Sequence, residues 1–133
     1  MNFRSESDID HFLVAFETGT LPSYCWTHAA HLGMCAAQLW IEDANTTDDI
    51  RKGIQNYLES QRMPASAYHE TLTVFWIDTV RGYLREWKPE SRLAAVCGVI
   101  KALGRNSDLP GKRYTFDVFN SIEARARWIP PDA

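Results

Sequence analysis

The sequence predicts an all-α fold on three observations. Apolar residues recur at helical spacing along most of the chain, strict strand alternation is confined to Tyr114-Thr115-Phe116, and capping residues and breakers fall where the helices would start and stop. The expected architecture is a compact single-domain bundle spanning residues 1–133, with about five helices followed by short C-terminal helical turns.

The first helix is expected from about Ser7 to Thr18, with Ile9, Phe12, Leu13 and Phe16 on one stripe and Gly19 as its stop. His11 lies off that stripe and is expected in solvent. A second helix starts near Thr27 and runs to around Asp43. Between Ala29 and Ile41 it has almost no polar arc, which is the mark of a helix buried on all sides. Thr46 and Thr47 with Asp48 and Asp49 form an N-terminal capping cluster for a third helix, whose apolar face is Ile50, Ile54, Tyr57 and Leu58 and which ends before Pro64. Ser66 is the expected N-cap of a fourth helix running to about Trp87, where Pro89 prevents continuation. A fifth runs from Glu90 or Ser91 to Leu103, with Gly104 as a left-handed terminator. Arg105 to Lys112 reads as a loop, and Phe116 to Trp128 carries one or two short helical turns.

Composition narrows the partners. The chain is 45% hydrophobic with five tryptophans, which suits a packed core and not a disordered segment. Its net charge is −3 and its basic residues are dispersed, so phosphate-driven binding has no patch to act through and nucleic acid is not an expected partner. The absence of a signal-like N-terminus or a long apolar run gives the expectation of a cytoplasmic protein with no membrane association. Three cysteines without a C-x-x-C pair fit reduced thiols, with Cys35 and Cys97 read as core residues.

Most of the chemistry lies in Trp26-Thr27-His28-Ala29-Ala30-His31, with a second element in Tyr68-His69-Glu70-Thr71. At ~100° per residue His28 and His31 lie about 60° apart on one side of the second helix, and Cys35 falls on the same stripe. The fourth helix has a stripe of His69, Thr73, Trp76, Val80, Tyr83 and Trp87. Packing the two stripes together, with both N-termini at one end of the bundle, would bring His69 toward His28 and His31. Three imidazoles and a carboxylate make a ligand set for one Zn or Fe ion, with no organic cofactor indicated. Glu17, at the edge of the first helix's apolar face, is the expected carboxylate ligand. Glu70 is expected either to ligate or to orient an imidazole and act as general base, while Trp26, Tyr68 and Trp76 shape the pocket.

Sharper motifs fail. His69-Glu70-Thr71-Leu72-Thr73 has threonine where a zincin needs its second histidine, and Cys25-x-x-His28 has no third group to orient a thiolate–imidazole pair or complete a zinc half-site. Arg81 and Arg85 read as a solvated face with Asp78 and Glu86, and the tryptophans at 26, 40, 76, 87 and 128 as helix-interface anchors.

The run Phe16-Glu17-Thr18-Gly19-Thr20-Leu21-Pro22, the W-T-H-x-x-H-L and Y-H-E-T elements, and Glu123-Ala124-Arg125-Ala126-Arg127-Trp128 resemble a family of small bacterial helical proteins of about 130 residues. The resemblance supports Glu17, His28, His31, His69 and Glu70 as a set and implies no particular reaction; Cys25 lies outside the pattern. The functional expectation is a small metal-dependent enzyme acting on a small molecule. The alternative is a non-catalytic ligand-binding or helper protein in which the same histidines form a buried polar network. The sequence sets no oligomeric state.

Overall fold

The computed structural model describes residues 2–133 and is all-helical. It contains α1 (Glu6–Glu17), α2 (His28–Leu39), α3 (Thr46–Ser60), α4 (Glu70–Trp87), α5 (Arg92–Leu103) and α6 (Ile122–Ala126), with short 3₁₀ turns at Ser23–Cys25, Ala65–Ala67 and Leu109–Lys112. No strand occurs among the described residues, so the alternation at Tyr114-Thr115-Phe116 is a feature of a loop.

Local chemistry sets most helix starts. Ser5, Thr27, Ser91 and Ser121 each accept a hydrogen bond from the backbone N–H three residues on, satisfying one of the donors that a helix start leaves orphaned. Three expectations about caps are corrected. Ser66 does not cap α4, because the chain makes a 3₁₀ turn over Ala65–Ala67 and the N-cap is His69. Thr46 is already helical, and its hydroxyl accepts from the Asp43 N–H, tying down the loop before α3. Gly104 is right-handed, with φ −63°.

The left-handed positions lie elsewhere. Gly19, at φ 73°, follows the last turn of α1, with its N–H on the Phe16 carbonyl and the Thr20 N–H on the Ala15 carbonyl. That pair of bonds is a Schellman motif, and glycine meets its positive φ without strain. Arg62 and Lys88, at φ 58° and 54°, hold left-handed positions after α3 and α4 without being glycine, which is why their roles were not legible from residue type.

The core surrounds α2. Ala30, Leu32, Met34, Cys35, Ala36, Ala37 and Leu39 are all buried, as an all-round apolar helix requires. The helix ends at Leu39, four residues before the expected Asp43, and Ile41 projects into solvent at 82% exposure. Its closest neighbour is α5, reached because Gly33 has no side chain; a Cβ there would lie 3.3 Å from Ile100 Cδ1 and from Phe3 Cε2. On another side α2 packs against α4, and Trp76, Ile77 and Val80 are buried with it. Aromatic packing closes the end near α1 and α3, where Phe16 stacks on both Trp26 and Tyr57 and the Tyr57 hydroxyl donates to the Leu21 carbonyl at 2.8 Å.

Two residues lie outside the expected core. Cys97 is exposed, its thiol 3.4 Å from the Phe3 carbonyl, because it sits on the solvent side of α5. Trp87 is 43% exposed, although its indole lies against Gly98 of α5. His11 is exposed, as its place off the α1 stripe requires. Arg81 and Arg85 converge on Glu42 in preference to Glu86, at 3.0 and 3.2 Å, with Arg81 also holding Asp78.

The glycines give a direct test of this packing. Gly82 sits mid-helix with open space around it, so Gly82→Ala should raise stability by about 0.5–1 kcal/mol through helix propensity. Gly33→Leu should instead force α2 and α5 apart and cost about 1–3 kcal/mol or more. Urea denaturation of the two variants measures both signs.

Candidate functional site

The helix starts, more than any single motif, build the site. His28 and His31 open α2, His69 caps α4, and all three line one cavity of about 330 Å³, which places the N-termini of α2 and α4 at the same end of the bundle. Trp26, Tyr68 and Trp76 line it too. Other wall residues are Thr73, which the sequence places on the α4 stripe facing the histidines, Ile54 and Leu58, which it places on the apolar face of α3, and Met63 and Leu72, to which it gives no role. The signal at Ile54 and Leu58 is an apolar helix face, which reads the same whether it meets a core or a cavity.

The three imidazoles are held differently. His69 accepts from the Leu72 N–H at Nδ1 (3.1 Å), so its proton sits on Nε2, which donates to the Val118 carbonyl at 2.9 Å. Both ring nitrogens are thus engaged within the protein, one capping α4 and the other pinning the C-terminal segment. Burial is the main cause that lowers its pKa below the ordinary histidine value.

His28 faces the Leu103 carbonyl through Nε2 at 3.2 Å, with its ring 4.7 Å from that of Trp76. A carbonyl only accepts, so Nε2 carries the proton, and in the neutral ring Nδ1 is an acceptor that no described side chain occupies.

His31 lies edge-on to Trp26 and makes one weak contact, Nε2 to Cys35 Sγ at 4.0 Å. Burial, reinforced by the neighbouring His28, pushes its pKa down to about 4, and burial pushes the Cys35 thiol up to about 12. Near neutral pH this pair is therefore an uncharged imidazole beside an uncharged thiol. It is not a thiolate–imidazolium couple.

The two carboxylates lie apart from this cluster. Glu17 is exposed at the end of α1 and takes no part in the cavity wall. Glu70 faces the far side of Tyr68, where Arg51 grips it with two bonds of 3.0 and 2.5 Å and the Tyr68 hydroxyl donates to it at 2.6 Å. Burial alone would raise its carboxyl pKa, but the bonds from Arg51 and Tyr68 outweigh burial and hold it below the usual value. Burial and the bond to Glu70 push Tyr68 itself up to about 12. Sequence reasoning missed Arg51 because it lies 19 residues from Glu70 with no local pattern linking them.

Glu17, His28, His31 and His69 therefore do not form a ligand sphere in this geometry. Among the described residues no group of three or more His, Cys, Asp or Glu side chains is placed to hold a metal ion. The arrangement offers a pocket with aromatic walls, the imidazoles of His28 and His31 with hydrogen-bonding capacity left over, and no Asp, Glu, Lys or Arg in its lining. Comparison of the chain with protein-family models, with curated proteins and with solved structures finds no match. Fold and site together define an all-helical bundle with a histidine–aromatic pocket.

The histidines should respond differently to pH and to mutation. An unfolded His31 takes a proton near 6.5 and the folded one only near about 4, so the unfolded state binds more protons between these values. Stability contributed at this site should be intact above pH 6.5 and fall as the pH is lowered toward 4. The His31 ring C–H resonances should titrate near 4 in NMR spectra; a midpoint near 6.5 would show the ring to be freely hydrated.

His69→Ala should cost about 2–4 kcal/mol, because it removes a helix cap and strands a buried carbonyl. His69→Asn, which can still cap, should recover about 1 kcal/mol of that loss in urea denaturation.

Proposed function

We propose that the chain binds a small, uncharged organic molecule in the cavity between α2, α3 and α4, without catalysing its conversion. The observation carrying this reading is the lining: largely apolar and aromatic walls with no Asp, Glu, Lys or Arg, and the imidazoles of His28 and His31, each with a ring nitrogen that no described side chain occupies. An ion entering such a site would lose hydration with nothing to replace it. A neutral molecule with a hydroxyl or similar group would lose little, and His28 Nδ1 could accept its proton.

The reading of a metal-dependent enzyme has weaker support. His69 is used up in capping and pinning, Glu70 in an ion pair, and Glu17 is out of reach of the cavity wall. The Cys35 thiol, pushed up to about 12, is a poor nucleophile. The W-T-H-x-x-H-L and Y-H-E-T elements, which prompted comparison with small bacterial proteins, both supply pocket walls, so the shared pattern would be a shared binding cavity. A reducing cytoplasm suits three free cysteines, one of them exposed. No helix among the described residues is long and apolar enough to cross a membrane.

Trp26 and Trp76 report on the site directly. Benzyl alcohol should change their fluorescence saturably and bind several-fold tighter than toluene, and His28→Phe should erase that preference while leaving toluene binding in place. Elemental analysis of protein prepared without added metal should find well under one zinc or iron per chain. A stoichiometric ion, lost in His31→Ala, would restore the metal-dependent reading.

A further inference from the structure

A second cavity of about 320 Å³ adjoins the histidine pocket and shares three of its walls, Leu58, Met63 and Tyr68. Each cavity alone lies at the low end of the ~300–1,000 Å³ typical of ligand sites, and joined they would reach its middle. The three shared residues differ in freedom. Tyr68 is fixed, because its hydroxyl donates to Glu70 at 2.6 Å and Glu70 is gripped in turn by Arg51. Leu58 is carried on α3. Met63 is 47% exposed in the loop after α3, unbranched and able to change rotamer without disturbing a core. It is the movable part of the partition.

The chemistry of the second cavity limits what could extend into it. Pro64 and Ala65 continue the apolar wall, Gln55 and Glu59 are the polar side chains of its lining, and neither cavity is lined by a lysine or arginine. A carboxylate or phosphate would find no cation at either end and would meet the Glu59 charge at one of them. An apolar chain, by contrast, gains with every methylene it buries.

Building on the small-molecule reading above, we propose that the two cavities form one bipartite site for an elongated, uncharged amphiphile. Its polar end meets His28 and His31, and its aliphatic remainder passes Met63 between Leu58 and Tyr68 into the second cavity. Tyr68, anchored by Glu70 and Arg51, is the positioning residue that keeps the passage open along one side.

Straight-chain primary alcohols of increasing length, titrated against the tryptophan fluorescence of the whole chain, test this. Affinity should rise by up to about fourfold per methylene and keep rising beyond the length that fills the first cavity. Gln55→Phe, and independently Ala65→Phe, should remove the gain for long alcohols and leave hexanol binding unchanged, since both residues line the second cavity and neither lines the first; one variant obstructs from α3 and the other from the loop after it, so a folding defect in one leaves the other decisive. The carboxylic acid matching the best alcohol should bind at least about tenfold more weakly at neutral pH. Hexanol binding with an affinity plateau at short length, identical in wild type and both variants, would overturn the bipartite site and leave the small-molecule pocket standing. Equal or tighter binding of the acid would overturn the uncharged class. Failure of hexanol and benzyl alcohol alike would overturn the pocket reading itself, and the extension with it.

Discussion

The burial of α2 on nearly all sides is the constraint on which the rest of this structure depends. A helix with no polar arc must be enclosed, and here α5 and α4 do most of the enclosing, with α5 brought close by the missing side chain of Gly33. Enclosure of the helix body leaves its first turn as the place where polar side chains can meet a gap between elements. His28 and His31 occupy that turn, and the short 3₁₀ turn before it sets Trp26 against Phe16 and Tyr57. The pocket thus lies at the end of the core, where the histidine turn of α2 meets the start of α4.

His69 shows how one residue type can carry opposite meanings within a few ångströms. Its backbone is extended, at φ −128° and ψ 106°, so it lies just before α4, and its Nδ1 reaches the Leu72 N–H as an aspartate or serine cap would. Nε2 then carries the proton and can only donate, and the Val118 carbonyl receives it. Thr71, fully buried two residues later, donates to the Arg127 carbonyl and accepts from the Ile129 N–H. Together these bonds fasten the C-terminal segment, including α6, onto the start of α4. The Y-H-E-T element is therefore mainly an anchoring device: His69 caps and pins, Thr71 pins, and Glu70 with Arg51 steadies Tyr68.

The helices were legible because they rest on periodicity and on breakers, which are local. The stripes of α1 and α3 were read from Ile9, Phe12, Leu13, Phe16, Ile50, Ile54, Tyr57 and Leu58; Leu13 and Leu58 are half-buried and the other six are buried. Caps were less legible. Ser66 has the residue type of a cap and His69 does not, yet the chain turns at Ala65–Ala67 and only His69 has the geometry. The gathering of His28, His31 and His69 with Trp26, Tyr68 and Trp76 around one cavity followed from facing two helical stripes. What His28, His69 and Glu70 do there did not follow, because it depends on Leu103, Val118 and Arg51, which lie 75, 49 and 19 residues from their respective partners and carry no spacing signal. Cys97 failed as a core residue for a related reason. On a helix as apolar as α5, sequence composition does not say which side meets solvent.

The placement of charge decides the character of the site. Arg51 pairs with Glu70 and Asp48 on one side of Tyr68, and Arg81 and Arg85 pair with Glu42 and Asp78 away from the helix starts, so none of these charged side chains lines the histidine pocket. Within the pocket, desolvation keeps His31 uncharged, and nothing nearby is negative enough to reverse that. Installing a cation in this environment would require either a carboxylate in the wall or a free lone pair on His69, and freeing Nδ1 would uncap α4 while freeing Nε2 would release the Val118 carbonyl. The architecture therefore ties the third imidazole of the pocket to the fold itself: each nitrogen that His69 could offer a ligand already holds a helix start or the C-terminal segment in place.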